Sequence, residues 1–170
     1  MSAGNVTIWL LRHGATEWTA DHRLCGWSDP PLNDLGRSQA RAVRGRIGEI
    51  RPESVWSSDL ARCVETAVLV GAGHPRIDTR LREFDFGRLE GRRFEDLDEE
   101  TRRGLASFDG FEAPGGETVD AFARRVDEFI AELEYGRHLL VTHGGVIRHL
   151  LRTKGLDRSI PPAGLEMIEV

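Results

Sequence analysis

The chain of 170 residues is short of lysine, cysteine and long apolar runs, and each shortage narrows what it can be. Lys154 is the only lysine, so nearly all the positive charge is arginine. The two cysteines, Cys25 and Cys63, lack metal-ligand spacing and, without export signals, are expected to be reduced thiols. No apolar stretch approaches the length of a membrane span, so no membrane partner is expected. Met1-Ser2-Ala3-Gly4-Asn5 has neither the basic start nor the apolar core of a signal peptide, which points to the cytoplasm. A formal net charge of −5 argues against a nucleic-acid partner, whose binding footprint is basic, while leaving room for a local basic pocket.

What is present is ordinary for a globular chain: 39% apolar and 30% charged residues, too apolar for disorder. The length suits one domain, residues 1–170, with no linker, repeat or low-complexity segment to divide it. Strand and helix patterns alternate. Residues 6–11 form an apolar run that reads as a buried strand ending at Arg12-His13-Gly14. Residues 19–31 are polar and rich in turn formers. Asn33 looks like the cap of a helix with Ala40, Val43, Ile47 and Ile50 inward, ended by Pro52. After a short strand at residues 54–57, Ser57 or Ser58 is expected to cap a helix with the stripe Leu60, Val64, Ala67 and Val68. A brief strand is expected around residues 76–78.

Residues 94–108 are acidic and helical in pattern, which reads as a surface excursion. Thr118 caps the clearest amphipathic helix, with Val119, Phe122, Val126, Phe129, Ile130 and Leu133 inward. A second buried strand, residues 138–142, again ends in His-Gly at His143-Gly144, and an edge strand closes the chain at residues 165–170. The alternation implies an α/β domain, a three-layer αβα sandwich on a mostly parallel sheet. In such a sheet both His-Gly ends open on one edge, where ligands bind.

Several residues at these ends carry chemistry. Arg12 offers a forked donor set suited to phosphate, and His13 is able to act as nucleophile, base or phosphate clamp. Arg62 sits in the first turn of a helix, where the dipole disfavours a cation; either an anion lies nearby or the side chain is simply exposed. Glu83 and Asp85 alternate with apolar neighbours and are expected on one side of an extended segment. Two arginines and two histidines on one pocket suit a dianionic phosphoryl group.

The chain resembles the histidine phosphatase superfamily, also called phosphoglycerate-mutase-like. The matching pieces are Leu11-Arg12-His13-Gly14-Ala15-Thr16-Glu17-Trp18, then Gly26-Trp27-Ser28-Asp29-Pro30-Pro31-Leu32-Asn33. Ser57-Ser58-Asp59-Leu60-Ala61-Arg62 and Leu81-Arg82-Glu83-Phe84-Asp85-Phe86-Gly87 follow. Pro114-Gly115-Gly116-Glu117-Thr118 and Val141-Thr142-His143-Gly144-Gly145 complete the set. They occur in the family's order and cover nearly the whole chain.

The resemblance implies that His13 takes the phosphoryl group as a phosphohistidine. Arg12, Arg62 and His143 would clamp its oxygens. Glu83 would protonate the leaving oxygen and then activate water; Asp85 is the rival for that task. Gly14, Thr16, Thr19, Cys25, Gly26 and Gly144 are expected to contact the substrate, a small phosphate ester. Neither a metal nor another cofactor is expected, because arginine and histidine supply the charge.

Thr19 stands where many members carry Asn, which puts that phosphate contact in question. Phosphoglycerate mutases are longer in the middle and carry a C-terminal tail over the site. The short stretch of residues 91–114 and the end at Val170 favour a phosphatase, similar by length to alpha-ribazole-phosphatase-type and broad-specificity phosphatases. A mutase and a non-catalytic phospho-ligand-binding relative are the alternatives. Oligomeric state stays open between monomer and homodimer.

Overall fold

The structure, a computed structural model, describes residues 5–170. Residues 1–4, on which most of the signal-peptide reading falls, lie outside the described residues. Five strands form one sheet in the order β3-β2-β4-β1-β5. They are β1 (Val6–Arg12), β2 (Ser54–Ser57), β3 (Arg76–Ile77), β4 (Gly136–Thr142) and β5 (Leu165–Glu169). The first four run parallel, and β5 pairs antiparallel with β1 at one edge. The fold is therefore α/β with a mostly parallel central sheet.

Side-chain alternation along the strands divides the core into two layers. Ile8 and Leu10 of β1 and Leu140 of β4 share one cluster with Phe122, Val126, Phe129, Val146, Ile147 and Leu150. These come from α5 (Val119–Ala131) and α6 (Gly144–Arg152). Leu11, Leu139 and Val141 share the other with Ala40, Ile47, Cys63 and Ala67, from α2 (Asp34–Ile50) and α3 (Ala61–Leu69). Each large side chain buried in this way stabilises the fold by roughly 1.5–3 kcal/mol. Because β4 is covered on both faces, it reads as a continuous apolar run.

Two helix starts are those the sequence announces. The Asn33 side chain accepts from the Gly36 N–H at 2.8 Å, and the Thr118 hydroxyl from Ala121 at 3.1 Å. Two expectations differ. Residues 19–31 are not wholly irregular, because α1 (Glu17–Ala20) precedes the turns and is capped by Thr16. The start of α3 is capped by neither serine: Ser57 Oγ donates to the Ser58 carbonyl, and Ser58 Oγ accepts from Leu60 outside the helix.

The buried face of α3 is also rotated from the expected stripe. Arg62, Cys63, Thr66 and Ala67 face inward, whereas Val68 is 50% exposed. The first turn of α3 faces a polar site rather than the apolar core, so apolar periodicity misplaces it.

Residues 94–108 form a short turn of 3₁₀ helix (Phe94–Asp96) and α4 (Glu99–Ser107). Leu97 and Leu105 seat this excursion on Leu89, with Leu24, Phe86 and Phe111 alongside. It is the expected surface excursion, anchored by these two leucines. No helix among the described residues is long and apolar enough to cross a membrane.

Candidate active site

Parallel register brings the two His-Gly ends together. Arg12 pairs with Thr142, and the His13 N–H donates to the Thr142 carbonyl at 3.0 Å, one step beyond β1. The His13 and His143 rings then meet edge to face, with centroids 5.2 Å apart.

His13 is buried, and its Nδ1–H donates to the Gly14 carbonyl at 2.7 Å. That bond fixes the ring and leaves the Nε2 lone pair facing the site. Arg62 Nε lies 3.4 Å from Nε2. The Arg62 side chain has no exposed surface, so its charge is held entirely by protein groups. It donates to the carbonyls of Gly26 at 2.7 Å and Ser28 at 2.8 Å, and to Asp29 Oδ1 at 3.0 Å. Asp29 also supplies the missing helix cap, accepting from the Ala61 N–H at 2.6 Å. Arg62 is thus not exposed, and the anion expected near it is the Asp29 carboxylate. A remote carboxylate both caps α3 and aims its first-turn cation.

His143 accepts from Arg62 Nη2 at 3.3 Å through Nδ1, and its Nε2–H donates to Ser58 Oγ at 2.9 Å. Burial, then the Arg62 charge and lesser cationic neighbours, holds the His143 imidazolium well below the usual histidine range. Burial, reinforced by Arg62 and Arg12, does the same for His13. Both rings are therefore neutral near neutral pH, the state a nitrogen nucleophile needs. Cys63 Sγ lies 3.4 Å from His143 Nε2, and burial pushes its thiol up, so it stays protonated.

Arg12 and Glu83 form the opposite wall. Arg12 Nη1 donates to the Ile160 carbonyl at 2.6 Å. Its Nε is the only buried side-chain nitrogen or oxygen among the described residues without a hydrogen-bond partner. Glu83 accepts from the N–H groups of Phe84 at 2.9 Å and Gly145 at 3.0 Å. A Cβ at position 145 would overlap Glu83 Oε1, so glycine is what lets α6 approach this carboxylate. Arg12, Glu83, Gly144 and Gly145 line one end of a cavity of about 260 Å³.

The structure brings Arg12, His13, Arg62, Glu83 and His143 together, and distributes the other expected residues differently. Gly26 holds Arg62 through its carbonyl, and Gly144 lies against the Arg12 guanidinium. Gly14 orients His13 and donates its N–H to Thr66 Oγ1 at 3.1 Å; a Cβ there would strike the Gly36 carbonyl. Its smallness serves packing. Thr16 and Thr19 cap each other across α1, so the Thr19 hydroxyl is engaged with the Thr16 backbone. Cys25 is buried, its Sγ directed to the Arg23 carbonyl at 3.7 Å. Asp85 is turned away, its carboxylate accepting from the Gly87 N–H at 2.9 Å.

Three supports escape a sequence reading. Asp29 carries its role across 33 residues, and Ser58 seats His143 from β2's end. Arg125 of α5 donates to the carbonyls of Arg80, Arg82 and Glu83 at 2.7–2.8 Å and pairs with Glu117. It braces the segment that carries Glu83. The only sequence signal for Arg125 is a cation on the polar face of an otherwise regular helix.

Over residues 8–161 the chain matches the histidine phosphatase superfamily (branch 1). The chain belongs to that superfamily. A relative named probable phosphoglycerate mutase GpmB, from Salmonella paratyphi C, is 39% identical over 158 residues, covering 86% of this chain and 73% of that protein. A solved structure of a phosphoglycerate mutase from Thermus thermophilus is 42% identical, with a TM-score of 0.89 over 95% of this chain and 92% of that one. The structure of open reading frame Rv3214 from Mycobacterium tuberculosis is 26% identical, with a TM-score of 0.79 and coverage of 95% and 89%. This superfamily member thus shares its sheet and helices with phosphoglycerate-mutase-like structures.

Proposed function

We propose that this histidine phosphatase is a phosphomonoesterase, hydrolysing a small phosphorylated metabolite through a phosphohistidine on His13. One observation carries the reading: the buried, unpartnered Arg12 Nε beside Glu83 and the His13–Arg62 pair. A buried donor without an acceptor is costly, by about 1–3 kcal/mol and more for a charged group. A phosphoryl oxygen bound there would accept from it.

In the first step the His13 Nε2 lone pair attacks phosphorus and the bond from phosphorus to the ester oxygen breaks. Protonated Glu83 gives its proton to that oxygen, and the alcohol leaves. Arg12 and Arg62 hold the equatorial oxygens as charge shifts onto them. In the second step the Glu83 carboxylate takes a proton from water, whose oxygen attacks phosphorus. The N–P bond breaks, inorganic phosphate departs and His13 is regenerated. Glu83 finishes protonated, as it began.

A second reading is phosphoryl transfer between hydroxyls of phosphoglycerate, and the names of the Salmonella and Thermus relatives support it better than hydrolysis. Hydrolysis is supported by the scarcity of free cations around the cavity. Apart from Arg12, its lining holds one, Arg148, which is already paired with Asp157 at 2.7 Å. A glycerate carboxylate would compete for that partner. The deciding experiment incubates the purified protein with a panel of phosphate esters including 3-phosphoglycerate, with and without 2,3-bisphosphoglycerate. Phosphate release without isomer interconversion supports the phosphatase; rapid formation of 2-phosphoglycerate replaces it with the mutase.

A further inference from the structure

Two cavities open beside Arg12, and their linings differ. In one, of about 360 Å³, Arg12 and Phe94 are joined by polar groups: Thr19, His22, Arg23 and Glu95. In the other, of about 260 Å³, Arg12 and Glu83 stand at the end of a wall of Leu24, Phe84, Phe86, Phe94, Leu105 and Phe108. Only the second contains Glu83. A proton passes from Glu83 to a leaving oxygen only across hydrogen-bond distance, so the leaving group must extend into this apolar space.

The wall is rigid. The Phe84 ring meets Phe86, Phe108 and Phe122 edge to face, with centroids 5.2, 5.3 and 5.7 Å away, which ties it to the core under α5. Phe108 ends α4 in the left-handed backbone region, at φ 50°, where glycine is favoured. An aromatic side chain is held there against backbone preference, and its ring faces the cavity. Arg148, also on the lining, donates to Asp157 and to the Ala106 carbonyl, so it offers little to an anionic tail. The volume falls below that of a typical drug-sized pocket, which suits one or two rings rather than a nucleotide or peptide.

We propose that the substrate is the phosphate monoester of an apolar, aromatic alcohol, its mono- or bicyclic group seated against Phe86, Phe94 and Phe108. This rests on the hydrolytic reading above, and a binding measurement separates the two. By calorimetry, 1-naphthylmethylphosphonate, which cannot be hydrolysed at its P–C bond, is expected to bind at least ~10-fold more tightly than 2,3-dihydroxypropylphosphonate. Equal or reversed affinities overturn the proposal whether or not the protein hydrolyses esters. Phe94, 38% exposed, tolerates substitution without emptying the core. Phe94→Ala is expected to reduce the affinity ratio several-fold, and Phe94→Arg to shift it toward the hydroxylated phosphonate. An unchanged ratio in both variants also overturns the proposal. In parallel, 1-naphthyl phosphate is compared with glycerol 2-phosphate for phosphate release. Tight naphthyl binding without release from either ester contradicts hydrolysis while leaving the pocket assignment standing.

Discussion

Asp29 ties Arg62 to the start of its own helix: Oδ1 accepts from the guanidinium at 3.0 Å and Oδ2 from the Ala61 N–H at 2.6 Å. The helix start and the phosphate clamp are therefore one structural unit. A charge that the helix dipole disfavours is tolerated because a carboxylate lies at the same end.

Asp29 separates positioning from stability. Asp29→Asn keeps an oxygen for the cap but removes the charge behind Arg62, while Asp29→Ala removes both. Both variants are expected to lower kcat/KM by about 10-fold or more, with Arg62 free to turn. Asp29→Ala should be less stable than Asp29→Asn by a further ~1 kcal/mol in denaturant unfolding, the usual value of a cap. Unchanged kinetics in both variants would show that Gly26 and Ser28 alone hold Arg62.

Glu83 and Asp85 are distinguished by where their carboxylates point. Glu83→Gln is expected to lower kcat by about 10²–10⁴-fold with little change in KM, because it removes proton transfer rather than binding. An ester whose leaving group needs no protonation, such as 2,4-dinitrophenyl phosphate, should recover much of the first step. Asp85→Asn should leave kcat near wild type, since its oxygen faces the Gly87 N–H. A larger loss from Asp85→Asn than from Glu83→Gln would reverse the assignment.

Acid sensitivity follows from the two neutral rings. His13 and His143 have imidazolium pKa values lowered by burial in the folded chain, so below about pH 6.5 the unfolded chain binds more protons. Their contribution to stability is present above that pH and is lost as the pH falls toward their folded values. Each should contribute a slope of up to about 1.4 kcal/mol per pH unit, read from denaturant midpoints between pH 7.5 and 5.5. His143→Gln should flatten the profile by roughly half. A profile as steep as wild type's would place the acid sensitivity elsewhere.

Much of the sheet is legible because strand periodicity and glycine-marked strand ends are local signals. Residues 6–11 and 138–142 read as buried strands, and Asn33 and Thr118 as caps, from neighbours a few positions away. The site's supports are nonlocal. Asp29 caps a helix that begins 32 residues later, which no inspection of Ser57 and Ser58 reveals. Apolar periodicity also misplaces the inner face of α3, where Arg62 and Thr66 turn toward a polar site. Residues 94–108 read as a surface excursion because acidic residues surround Phe94, Leu105 and Phe108. Their common cavity appears only when the segment folds over Glu83.

The most direct test of the central assignment is to trap the enzyme during turnover of a ³²P-labelled ester, quenched rapidly without acid. Phosphohistidine chemistry requires acid-labile, alkali-stable label on the peptide containing His13, and its absence from His13→Ala. Label on an acidic residue, or normal turnover by His13→Ala, would contradict His13 as the nucleophile.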